Sequence, residues 1–391
     1  MSPKLPRRWS LDHNPLSGIT LGRWLKLLVD NRFDVDVCYA HRAAFISALS
    51  AFNSACAAWE CLRFGRALRG IVVRKDPIFI IGHWRSGTTH LHNLLSLDDA
   101  LTAPTTFQAV NPSSFLSTDR VLPAIFKPFL PARRPMDEMT MSFEAPQEDE
   151  LALSLLCGLS PYLSLSFPRG APHYDRYLTF ENAPAQEVLR WKEAFIKFAS
   201  KLTLRDERRL VYKSPAHTAR IRILLELFPD ARFLHIHRDP YVVFQSSRHY
   251  FGTAAWHANL QRLDPDHFDD AILRRYQVLY AAYFDQRHII PPGRLHELSY
   301  DSLIADPLAE MRRIYQELEL GSWATVQSKV RDYLGSLGDY QVNRHQDLSA
   351  EERGHVATAW RPYFQALGYP IGFDSAATAR GDRVPCQEAG R

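Results

Sequence analysis

Residues Gly82-His83-Trp84-Arg85-Ser86-Gly87-Thr88-Thr89 place two glycines around a four-residue interval, directly after the apolar run Ile78-Phe79-Ile80-Ile81. That is the spacing of a phosphate-binding loop. Glycines let the backbone wrap an oxyanion, and the free amides at the next helix start point at it with the favourable end of the helix dipole. A nucleotide-hydrolysing loop continues with Lys and then Ser or Thr, for the terminal phosphates and magnesium. Here Thr88 stands at the Lys position, and Arg85 inside the loop supplies a planar, permanently charged fork. The chemistry indicated is binding of a strongly anionic donor. Group transfer from that donor, a kinase using Arg85 in place of the Lys, and a non-catalytic, membrane-associated anion-binding scaffold are the functions these residues leave open.

Two pairs of histidines raise the question of a metal. His235 and His237 share one face of an expected strand, and His90 and His92 diverge on an expected helix. Neither pair has cysteines or carboxylates placed to complete a site, so no metal is expected.

The loop needs a strand before it and a helix after it, and the chain repeats that pattern. Ile78–Ile81 reads as a strand, and 88–97 as a helix with Leu91, Leu94 and Leu95 on one period. Leu210-Val211-Tyr212 leads through Lys213, Ser214 and Pro215 into a helix that Pro229 stops, and 232–237 is a buried strand. Asp239 as N-cap with Pro240 at the first helical position is a strong helix start. A short strand at 295–298 and a helix at 307–318 follow. The fold expected is α/β, a P-loop-like parallel sheet flanked by helices, with an added N-terminal helical segment. The boundaries are 1–75 for that segment, 76–370 for the main domain and 371–391 for a disordered tail. Residues 100–145 read as a long irregular excursion, and 252–270, with Trp256, His257 and Phe268, as a lid or acceptor-side loop.

The strand, the Arg-Ser-Gly-Thr-Thr loop and the leucine-rich helix resemble the 5′-phosphosulfate loop of sulfotransferases that use 3′-phosphoadenosine 5′-phosphosulfate (PAPS). Arg238-Asp239-Pro240 with Ser246 two helical turns later is similar to the Arg and Ser pair that holds the 3′-phosphate in that family. Tyr212-Lys213-Ser214-Pro215-Ala216-His217, Pro146-Gln147-Glu148-Asp149-Glu150 and Tyr300-Asp301-Ser302-Leu303-Ile304-Ala305-Asp306-Pro307 extend the resemblance to the bacterial branch related to tyrosylprotein sulfotransferases, over residues 76 to 370. The resemblance implies that Arg85, Ser86, Gly87, Thr88 and Thr89 hold the 5′-phosphate and sulfuryl group, and that Arg238 and Ser246 hold the 3′-phosphate. Lys213 would meet the charge that builds on the bridging oxygen, and no metal is required. The acceptor needs a general base. The tyrosylprotein branch takes it from a Glu soon after the first helix, but 102–111 offers only Gln108. Glu148 is the first candidate and His83 the second, with Glu144 and His217 behind them. The family's later basic loop has no clean match; Arg344 and His345 are the nearest contributors.

Composition narrows the setting. The chain has 391 residues, 47 Lys and Arg against 43 Asp and Glu, and a net charge of +4, which excludes a protein that coats nucleic acid. With 46% hydrophobic residues it can bury a sizeable core. Cys38, Cys56, Cys61, Cys157 and Cys386 form no disulfide framework, and no secretory signal is expected, so the compartment is the reducing cytoplasm. Phe45, Leu49, Phe52, Cys56 and Trp59 draw an apolar stripe expected to pack on the core. Peripheral membrane contact, through Arg23, Lys26 and the run from Trp24 to Val29, is the second reading of the N-terminal helices. The acceptor is a small molecule; the aromatic content of 100–135 and 250–270 agrees with a lipophilic alcohol.

Overall fold

In the computed structural model, which describes residues 9–11, 14–127, 142–337 and 347–371, the expected sheet forms. Its strands are β1 (Ile78–Ile81), β2 (Leu101–Thr102), β3 (Arg209–Lys213), β4 (Arg232–His237) and β5 (Leu295–Ser299). All pairings are parallel, in the order β2-β3-β1-β4-β5. β1 is central: Ile80 pairs with Lys213 on one side and Leu234 on the other.

Alternation along each strand divides the sheet between two cores. Ile78, Ile80, Val211, Leu234 and Ile236 join Leu91, Leu94, Met311 and Ile314 on one face. Phe79, Ile81, Tyr212 and Phe233 join a larger cluster with Phe195 and Phe228, in which Phe79 stacks between Tyr212 and Phe233. Burial on both faces is why β1 is purely apolar. Helix α3 (Thr88–Leu95), which follows β1, packs on the first face, whereas the helix Pro240–Thr253, which follows β4, packs on the second. Where connections leave neighbouring strands for opposite faces, a crevice opens beyond the carboxyl ends.

Three expectations change. Residues 100–145 contain the edge strand β2 and short helices at Thr106–Val110, Phe115–Thr118 and Leu122–Phe126 rather than one irregular excursion. Residues 252–270 are not a free lid: the carbonyls of Trp256 and Asn259 accept from the buried Arg42 guanidinium, at 2.7 and 3.0 Å. Finally, α1 (Leu21–Asp30) and α2 (Ala40–Leu68) share the larger core through Trp24, Leu27 and Ile46, but α2 does not bury its apolar stripe. It buries Arg42, Ile46, Ser50, Asn53 and Glu60, while Phe52 and Trp59 are exposed. The polar side wins because it has partners there. Glu60 pairs with the buried Lys201, whose ammonium is lowered to about 8 by burial, with Glu60 opposing that fall. Arg344, His345 and the tail from 372 lie outside the described residues. Among the described residues no helix is long and apolar enough to cross a membrane.

Candidate functional site

The loop after β1 is fixed by backbone geometry. Gly82 has φ 143° and Gly87 φ 98°. A Cβ at Gly82 would lie 2.2 Å from the Ile236 carbonyl oxygen, and one at Gly87 would lie 2.3 Å from the Tyr300 ring. Only glycine fits either position, and the loop becomes a cradle at the start of α3, whose first amides have no intrahelical acceptor. Thr218 braces it from the loop after β3: its hydroxyl accepts from the Gly82 amide at 2.7 Å and donates to the Gly82 carbonyl at 3.2 Å. Arg85 also has positive φ, 70°, a strained conformation that aims its guanidinium out of the loop. Ser86 and Thr88 are buried, the Ser86 hydroxyl donating to the His83 carbonyl at 2.7 Å; Arg85, Gly87 and Thr89 are partly exposed.

The second cationic element meets the first. Asp239 caps its helix as expected, accepting from the Tyr241 amide at 2.7 Å. Two turns on, Ser246 Oγ accepts from Arg85 Nε at 2.9 Å. The residues assigned to opposite ends of the donor are therefore in contact. Arg238 lies 4.3 Å from the centre of the Tyr300 ring, a cation–π arrangement, and that ring also closes the space beside Gly87. Burial raises the Tyr300 phenol, and the Arg238 and Arg85 charges oppose the rise, so the tyrosine sits in the field of both cations. His249, one turn beyond Ser246, has its basicity lowered by burial and then by Arg85.

On the β3 side, Lys213 Nζ donates to Glu148 Oε1 at 2.7 Å. Glu148 Oε2 accepts from the Tyr162 hydroxyl, which in turn accepts from Trp84 Nε1 at 3.2 Å. A continuous path thus runs from the phosphate loop to the end of β3. The acidic run divides sharply by role. Asp149 is fully buried against His217, and Glu150 is fully buried, making two bonds to Arg220 at 2.6 and 3.0 Å. Glu148, the N-cap residue, is the one that reaches Lys213 and stays partly exposed.

The other candidates lie apart from this pair. His83 is buried, its Nδ1–H donating to the Trp84 carbonyl at 2.8 Å and its ring against Tyr276. Burial, with a smaller contribution from Arg275, lowers its basicity to about 4. His217 faces Asp149 and Phe79 in the core, and Glu144 is exposed and bonded to Ser142. Gln108 is spent on a capping box with Thr105. His235 stacks on Tyr283, and His237 Nδ1 meets the Tyr369 hydroxyl at 2.9 Å. Among the described residues no three His, Cys, Asp or Glu side chains are grouped to hold a metal.

Sequence reasoning gave no role to Tyr162, Trp84, Tyr300, Thr218 or His249. Trp84 lies inside the loop and Tyr300 opens the Tyr-Asp-Ser-Leu motif at 300–303, so position flagged both. Tyr162 carried no signal.

Comparison with known proteins agrees in sequence and in shape. A model of the "Sulfotransferase family" matches residues 77–325. An omega-hydroxy-beta-dihydromenaquinone-9 sulfotransferase, Stf3, of Mycobacterium tuberculosis and of Mycobacterium bovis, is 38% identical over 364 residues, 93% of each chain. The crystal structure of the sulfotransferase STF1 from Mycobacterium tuberculosis superposes with a TM-score of 0.61 at 19% identity, covering 90% of this chain and 94% of that one. STF9 from Mycobacterium avium gives 0.61 at 18% identity, covering 84% and 86%. The two structures speak for the fold alone.

Proposed function

This chain belongs to the sulfotransferase family, and we propose that it moves a sulfuryl group from PAPS to the hydroxyl of a lipophilic alcohol. The reaction class, enzymatic sulfuryl transfer to a hydroxyl, follows from the family and from the identity with Stf3 across nearly the whole chain. The donor, the acceptor and the residue roles are our reading. The observation that carries it is the convergence of the Gly82–Thr89 loop, Lys213 and Arg238 on the carboxyl ends of three adjacent parallel strands.

The site suits such a donor. PAPS brings about four negative charges, since a phosphate monoester contributes up to two. The glycine cradle admits a phosphate to the α3 amides, and Arg85, Arg238 and Ser246 supply charge and donors within one crevice. PAPS supplies the activated sulfuryl group. Arg85 and the α3 amides orient it, and Lys213 stabilises the charge left on the bridging oxygen as the S–O bond to phosphate breaks. An acceptor hydroxyl beside the Lys213–Glu148 pair would donate its hydrogen bond to Glu148, which takes the proton as the new O–S bond forms. His83, depressed by burial and turned into the core, is the weaker candidate for that step.

The likeness to Stf3 suggests the acceptor class, a hydroxylated menaquinone-like lipid. Such an enzyme would work in the cytoplasm at the membrane face, which the free thiols of Cys38, Cys56, Cys61 and Cys157 support. Binding tests the donor first. PAP, the desulfated donor, should raise the melting temperature without magnesium; stabilisation by ATP with magnesium alone would reject the reading and favour a nucleotide kinase.

A further inference from the structure

Surface helices normally bury their apolar stripe, but in α2 Phe45, Leu49 and Cys56 are only half-buried and Phe52 and Trp59 are exposed. Its inner side places Ile46 in the core and is otherwise polar and hydrogen-bonded: Asn53 Nδ2 donates to the Ser17 and Ile19 carbonyls at 2.8 and 3.0 Å, and Arg42 and Glu60 hold the buried partners described above. On the other side Phe52, Trp59 and Leu62 are 45%, 59% and 82% exposed, and their spacings of seven and three put them on one face. The next stretch is basic. Arg63, Arg66, Arg69, Arg74 and Lys75 come before any acid, and the single acid of α2, Glu60, is buried against Lys201.

We propose that this face docks on an anionic lipid bilayer. Phe52, Trp59 and Leu62 enter the boundary between headgroups and acyl chains, and Arg63, Arg66 and Arg69 meet the lipid phosphates. Aromatic and apolar residues running into a block of arginines is the composition of an interfacial helix. A second copy of the chain is the poorer occupant, because a self-complementary contact would need carboxylates on this face to offset the arginines, and α2 offers none. The face also differs from the stretch the sequence suggested: Trp24 and Leu27 of α1 are buried in the core. The inference builds on the peripheral placement proposed above, not on the sulfuryl chemistry.

Sedimentation of the full chain with vesicles tests it. The protein should bind phosphatidylglycerol–phosphatidylcholine vesicles and leave pure phosphatidylcholine largely unbound. Phe52→Ser, Trp59→Ser and Leu62→Ser together should weaken binding at least about tenfold. Arg63→Gln, Arg66→Gln and Arg69→Gln together should weaken it about a hundredfold and remove its salt dependence, since each basic residue at an anionic surface is worth about fivefold. Melting temperature, and transfer to a water-soluble alcohol, should not change in either variant. A wild-type protein that ignores anionic vesicles, or an apolar triple variant that binds them as well as wild type, overturns the proposal. So does a wild-type dimer that the apolar triple variant converts to monomer, which would make the face an interface between copies. A protein inactive with PAPS that still binds vesicles through these residues supports docking while rejecting the sulfuryl reading.

Discussion

On the β4 and β5 side of the crevice, position is set by backbone. Gly82 and Gly87 leave no room for a Cβ against Ile236 and Tyr300, Asp239 caps the next helix, and Arg85 and Ser246 meet over the opening. On the β3 side, position is set by side chains borrowed from distant segments: Lys213, Glu148, Tyr162 and Trp84 form one chain of contacts. The first arrangement is the proposed donor site, held by backbone. The second is the proposed proton-transfer pair, held by side chains alone.

Substitutions separate the two sides. The largest loss is expected from Lys213→Ala, about a thousandfold in kcat with PAP affinity kept within a few-fold, measured by labelled transfer and by thermal shift. An equal loss of PAP binding would erase the distinction between the sides. Next, Glu150→Gln leaves Arg220 buried and underpaired, and should lower stability by about 3 kcal/mol in denaturant unfolding while the folded fraction keeps its kcat. That result would set Glu150 apart from Glu148, two residues away. Gly87→Ala should weaken PAP about a hundredfold in calorimetric titration, because the new methyl meets the Tyr300 ring at a φ that disfavours it; unchanged affinity would show that the cradle is not the donor site. The smallest effect belongs to Tyr162→Phe. Removing its bond to Glu148 should cost about tenfold in kcat and leave the KM for PAPS unchanged, measured by labelled transfer.

The loop after β1 and the cap after β4 were legible because their signals are local: glycine spacing after an apolar strand, and an Asp-Pro pair after another. The sheet was legible for the same reason, β1 being a continuous apolar run and β4 carrying Phe233, Leu234 and Ile236 ahead of the Asp-Pro cap, although β2, two residues long, carried no pattern. The contacts of the acidic run were not. Three adjacent acids are equivalent on paper, and only packing sends Asp149 to His217, Glu150 to Arg220 and Glu148 to Lys213. Tyr162 is invisible for the same reason, since its partners are far away in the chain. In α2 the apolar period was real, but the expectation that it faces the core failed. Its polar stripe found buried carbonyls and a buried lysine, and satisfied polar groups hold an inner position as firmly as apolar ones.

The proposed general base is Glu148, paired with Lys213 at the end of β3. Glu148→Gln tests it most directly, assayed for label transfer from PAPS to a hydroxylated menaquinone analogue and, in parallel, for the rise in melting temperature with PAP. Transfer should fall at least about a hundredfold with the thermal response intact. Undiminished transfer in that variant would contradict it and return the search for the base to His83.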